Sequence, residues 1–137
     1  MKCSQIITCI SAEVFKTFIY VTVYMIILCY IVLWFHEGGH YLAASALGLT
    51  DITLIYTEYG FPTAIRIDMD QFRELSLNGL RYLIIVFSGI VTGMLPLICA
   101  YKYQGDFYKP LIIVSFVIYL LGCGSDVEKI LMVLGVE

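Results

Sequence analysis

With 137 residues, 61% of them hydrophobic and only 14% charged, the chain is too apolar for an ordinary soluble domain, in which about half the residues are apolar and about a quarter charged. A mean hydropathy of +0.91 predicts a single integral membrane domain over residues 1–137, surrounded by the lipid bilayer. The formal net charge of −3, with no cluster of Lys or Arg, excludes a nucleic-acid partner.

The opening stretch MKCSQIITCISAEVFK is interrupted by Glu13 and Lys16, and no small-residue cleavage site follows a short apolar core. No cleavable signal peptide is therefore expected. A helix is predicted from near Ala12 to about Leu47, with a first span over about 14–47 whose stretch from Thr17 to Phe35 carries no charge. Spanning takes about 20 apolar residues. At about 1.5 Å per residue this helix is longer than hydrocarbon is thick. Either its first turns lie at the interface, or it bends near Gly38 and Gly39. The five cysteines are odd in number and scattered, three of them in apolar runs (Cys29, Cys99, Cys123), so they read as small buried apolar residues rather than a disulfide framework.

Asp51 to Asp70, DITLIYTEYGFPTAIRIDMD, changes character. Ile65, Ile67 and Met69 alternate with Arg66, Asp68 and Asp70, the period of a half-buried strand. The preceding ITLIYTEY is β-branched and aromatic, and Gly60 and Pro62 punctuate, so a β-hairpin is predicted over about 52–69. It belongs at the membrane surface, because an open sheet edge cannot face lipid tails. QFRELSLNGLR then leads, as a short interfacial helix, into a second span over about 79–101. That span carries Gly89 and Gly93 at the spacing of close helix contact, and Pro96, which kinks a helix or frees a carbonyl. A shorter third span is predicted over about 108–123, and a short C-terminal helix over about 126–135, opened by a capping box at Ser125 and Glu128. The fold class is thus mainly α: three transmembrane helices, a surface hairpin between the first and second, and a short last helix. Lys2, Lys16, Lys102 and Lys109 balance Arg66, Arg73, Arg81 and Lys129 across the spans, so charge gives no orientation.

The end of the first span reads LWFHEGGHYLAA, Leu33 to Ala44. On a helix, His36 and His40 project from one face, one turn apart, and both imidazoles can reach one metal ion. Glu37 is turned about 100° away, close enough to hold a metal-bound water without binding the metal. This is the H-E-x-x-H arrangement of zinc peptidases, in which the glutamate acts as base. The motif contains both histidines of the chain, and Glu37 adjoins an apolar run where an unpaired carboxylate is costly. Gly38 and Gly39 fill the free positions and let a neighbouring helix or substrate approach. A catalytic zinc takes three protein ligands and one open position. With no third histidine, the remaining ligand is a carboxylate or thiolate. Asp126, after the break Gly122-Cys123-Gly124, is the best candidate, followed by Cys123 and Glu128.

A transmembrane H-E-x-G-H, a β-rich segment, a Gly-containing second core span and a third span ending in an aspartate resemble the site-2 protease family of intramembrane zinc metallopeptidases. The similarity runs from about Val32 to Val133 as an order of elements, and is specific in HEGGHYLAA and, more weakly, GSD. The resemblance implies that His36, His40 and Asp126 bind one Zn2+ per chain and that Glu37 is the catalytic base. It also implies membrane-spanning protein substrates cut in or near the bilayer. The chain resembles a minimal or divergent member. Val127 follows Asp126 where the family has glycine, and no Asn-x-x-Pro precedes it. Ser88-Gly89 only echoes the family's second-span Ala-Gly-Pro followed by asparagine, which leaves the oxyanion-stabilising group unassigned. The rival expectation is a non-proteolytic membrane protein that retains the fold and serves as binding partner or chaperone for other membrane proteins.

Overall fold

The computed structural model describes the backbone of residues 3–68, 70–71 and 79–135, with side chains from residue 12 onward. The expected interfacial helix falls mostly on residues 72–78, outside the described residues, as does Met69 of the strand alternation.

Helix α1 spans Cys3–Ala46, 44 residues without a break. It continues as helix through Gly38 and Gly39. It stops at Gly48, whose φ of 85° suits the left-handed residue of a helix C-terminus. The Leu49 amide donates to the Ala44 carbonyl and the Gly48 amide to that of Ser45, the two bonds of a Schellman motif.

The hairpin is shorter than its sequence pattern suggests. Strands β1 (Thr53–Tyr56) and β2 (Pro62–Arg66) pair antiparallel, with Leu54 opposite Ile65 and an irregularity between Ile55 and Tyr56. Gly60, at φ 78°, completes the turn. The alternation holds where it is described: Ile65 and Ile67 are half-buried, Arg66 and Asp68 exposed. Aromatic contacts tie the hairpin to α1, with ring centroids 5.1 Å apart for Tyr30 and Phe61 and 5.7 Å for Trp34 and Tyr56.

Helix α2, Gly79–Tyr103, is helical through Pro96 and is the main packing partner of α1. Among the described residues, Ala12–Ala46 of α1 and all of α2 are the two helices long and apolar enough to cross a membrane. The expected third span is corrected in form. Its helix, α3, covers only Lys109–Gly122, 14 residues, or about 21 Å, which is short of a bilayer. It meets α4, Gly124–Leu134, at a 46° bend. Cys123, not Ser125, is the N-cap of α4, and no side chain caps it. The predicted capping box does not form, because the helix has already begun at Gly124.

Leu28, Val32, Leu97 and Ile112 form one buried cluster where α1, α2 and α3 meet, and Ala44 and Ile85 form a second beneath the hairpin. Large apolar side chains such as Phe18, Ile26, Ile98 and Val117 point outward, as side chains meeting lipid tails do. Cys29 and Cys99 also face outward, contrary to the expected burial. Cys123 is buried, and all three are free thiols.

A candidate metal centre

His36, Glu37 and His40 lie on one buried stretch of α1, and Asp126 enters from the first turn of α4 with 5% of its surface exposed. The bend between α3 and α4 turns the aspartate toward α1. The Nε2 atoms of His36 and His40 are 3.2 Å apart. Asp126 Oδ2 lies 3.1 Å from the first and 3.4 Å from the second. Ligands about 2.0–2.1 Å from a tetrahedral zinc stand about 3.3 Å from one another. The three atoms therefore already form one face of such a tetrahedron. Among the described residues, these three alone make a group of potential metal ligands. Neither of the other two candidates for the third ligand belongs to this group: Glu128 is exposed, and Cys123, though buried, is not among the clustered ligand atoms.

Hydrogen bonding decides where the imidazole protons sit. His40 Nδ1 is 2.8 Å from the Ile85 carbonyl. A carbonyl only accepts, so Nδ1 carries a proton and donates. Tyr119 Oη lies 2.9 Å from the Ile90 carbonyl and 3.2 Å from that of Gly89. Its single proton goes to these carbonyls, so a lone pair remains to accept from His36 Nδ1, 2.9 Å away. In their neutral forms both imidazoles then turn bare Nε2 lone pairs toward a carboxylate oxygen. Three acceptors in mutual contact repel one another unless a proton or a metal ion lies between them. The carbonyl and phenol bonds are also the outer contacts that fix a metal-binding histidine's tautomer and ring plane.

The glycines of α2 make this arrangement possible. A Cβ on Gly89 would occupy the space of the His40 ring, and one on Gly93 that of the Tyr119 hydroxyl. Their spacing thus accommodates side chains reaching across rather than two backbones in contact. Gly39 does meet the neighbouring helix, since a Cβ there would collide with Thr92 and the Ser88 carbonyl; Gly38 faces nothing within 4 Å. Ser88 Oγ lies 2.9 Å from the Gly39 carbonyl and 2.6 Å from that of Ile85. Thr92 Oγ1 lies 2.8 Å from the Phe35 carbonyl and 2.7 Å from that of Ser88, so each hydroxyl shares its one proton between α2 and the motif helix on either side of His36.

Glu37 Oε1 lies 3.9 Å from His36 Nε2, beside the triangle but not in it. Both face a cavity of about 1170 Å³, lined also by Thr63 to Arg66 of β2, by Ile67 beyond it and by Lys129. A buried carboxylate adjoining a metal-sized gap, in a cavity this large, can take a proton from a water held there. No protein-family model, curated protein or solved structure matches the chain.

Tyr119, the Ile85 carbonyl, Ser88, Thr92 and Lys129 escape a sequence-level search for ligands. Only Lys129 leaves a trace, three residues after Asp126 on one helix face.

Proposed function

We propose that this chain is a zinc-dependent endopeptidase acting on membrane-spanning proteins, in the manner of the site-2 protease family its sequence resembles. His36, His40 and Asp126 hold one Zn2+, and Glu37 is the general base. One observation carries the proposal: three lone-pair donors at the separations of a tetrahedral face, next to a buried glutamate. Bound zinc would supply Lewis acidity, lowering the pKa of a water and polarising the scissile carbonyl. Glu37 takes the proton from the attacking water and returns it to the departing amide nitrogen. His40 and His36 are held in register by Ile85 and Tyr119 throughout.

An extended substrate segment pairs with a free edge of the hairpin, as strands add to sheets elsewhere. The cavity common to β2 and the histidines supports this, because a helical substrate would hide the bond to be cut. In this account the hairpin enters from the membrane surface, and its turn reaches along α1 to Tyr30. Helices α3 and α4 act as one bent third span, so the protein is multi-pass.

The test is Glu37→Gln in full-length protein, co-reconstituted with a panel of single-span membrane proteins. We expect zinc to be retained and cleavage to fall about 100-fold or more, the scale of a lost general base. Zinc-loaded wild type that cleaves none of the panel would favour the non-proteolytic partner or chaperone.

A further inference from the structure

Asp126 has two carboxylate oxygens, and the structure treats them differently. Oδ2 faces both imidazoles, whereas Oδ1 accepts a hydrogen bond from Lys129 Nζ at 2.9 Å. The two residues are three apart on α4, so the lysine stands directly over the aspartate. Exposed pairs at this spacing are common and contribute little. Here the carboxylate is buried, with 7% of its side chain exposed against 45% for the lysine. The lysine therefore reaches inward from the cavity wall to an oxygen that water hardly touches.

Resting on the reading of His36, His40 and Asp126 as a metal site, we infer that Lys129 is a positioning residue that keeps Asp126 a one-oxygen ligand. A carboxylate can bind a metal through one oxygen or both. Two histidines plus both oxygens already supply four donor atoms, so a water could join only as a fifth ligand instead of taking the open fourth position of a catalytic site. Lys129 occupies Oδ1 and holds the carboxylate plane, so that only Oδ2 points at the histidines. The uncapped start of α4 leaves this task to a side chain: neither Ser125 nor Glu128 steadies the turn that carries Asp126.

The test uses purified full-length protein in detergent, loaded with Zn2+ or with Co2+ as a spectroscopic substitute. Wild type, Lys129→Met and Lys129→Arg are compared, with helicity measured for each. Arginine retains a donor for Oδ1; methionine keeps the length and loses the donor. Wild type should give the intense visible bands of four-coordinate Co2+. Lys129→Met should weaken them, as a fifth ligand atom joins, and lower zinc affinity about 10- to 100-fold, the usual effect of removing an outer partner of a metal ligand. Lys129→Arg should restore both. A folded Lys129→Met with wild-type spectrum and affinity overturns the role of the lysine while leaving the metal site intact. Wild type that binds neither ion overturns the metal site itself, and the lysine's role with it.

Discussion

A methyl group added at Gly89 would enter the space of the His40 ring, one added at Gly39 would strike Thr92 and the Ser88 carbonyl, and one added at Gly38 would meet nothing within 4 Å. Three glycines close together thus carry different loads. Gly38→Ala removes the helix penalty of glycine and should stabilise the protein by about 0.5–1 kcal/mol, seen as a higher thermal midpoint in detergent. Gly39→Ala should destabilise it by pushing α1 and α2 apart. Gly89→Ala should preserve helicity but cost at least about 10-fold in zinc affinity, because the imidazole loses its seat. Equal zinc affinities in wild type and Gly89→Ala would contradict the fit of His40 against α2. The residues that could hold a metal were legible in the sequence: H-E-x-x-H carries its own helical geometry, and Asp126 follows an obvious break. Their supports were not. A tyrosine bonding a histidine 83 residues away, or a carbonyl accepting from His40, has no local pattern to reveal it.

Among the elements, α1, α2 and the hairpin follow from local patterns: long charge-free runs, β-branched alternation and a Gly-Pro turn. The third apolar run proved harder because length alone cannot reveal a bend. The apolar run gives way at Cys123 to Gly124, Ser125 and Asp126, but helix resumes at once after a turn of 46°, and that turn aims Asp126 at α1. The capping box at Ser125 misled for a related reason, since the chain resumes helix one residue before the expected cap. The hairpin offers the clearest functional prediction at this scale. Proline placed singly at Thr63, Ala64 or Ile65 removes one backbone donor from β2. Where that donor points away from β1, cleavage should fall while zinc stays bound. Full cleavage by all three variants would show that the hairpin only packs.

For the whole molecule, α1 and α2 run between two ends. The α1 C-terminus and the start of α2 lie at one, near the Ala44–Ile85 cluster, and the α2–α3 connection at the other, where Tyr108 packs on Tyr24. The hairpin turn lies between them, with Phe61 against Tyr30. If α1 and α2 both cross the bilayer, these two ends face opposite compartments. Single cysteines at Asp68, exposed where the chain returns from β2 toward α2, and at Gly105, in a form lacking the native cysteines, should react with an impermeant maleimide from opposite sides of sealed vesicles. Labelling from the same side would rule out that crossing. The cavity beside the histidines is the space through which water would have to reach groups that lipid otherwise keeps dry.

Metal content tests the central claim most directly. Purified wild-type protein should contain one zinc per chain, Glu37→Gln should retain it, and Asp126→Ala should lose most of it. Wild type without bound metal, or Asp126→Ala that holds zinc at undiminished affinity, would contradict the His36–His40–Asp126 centre.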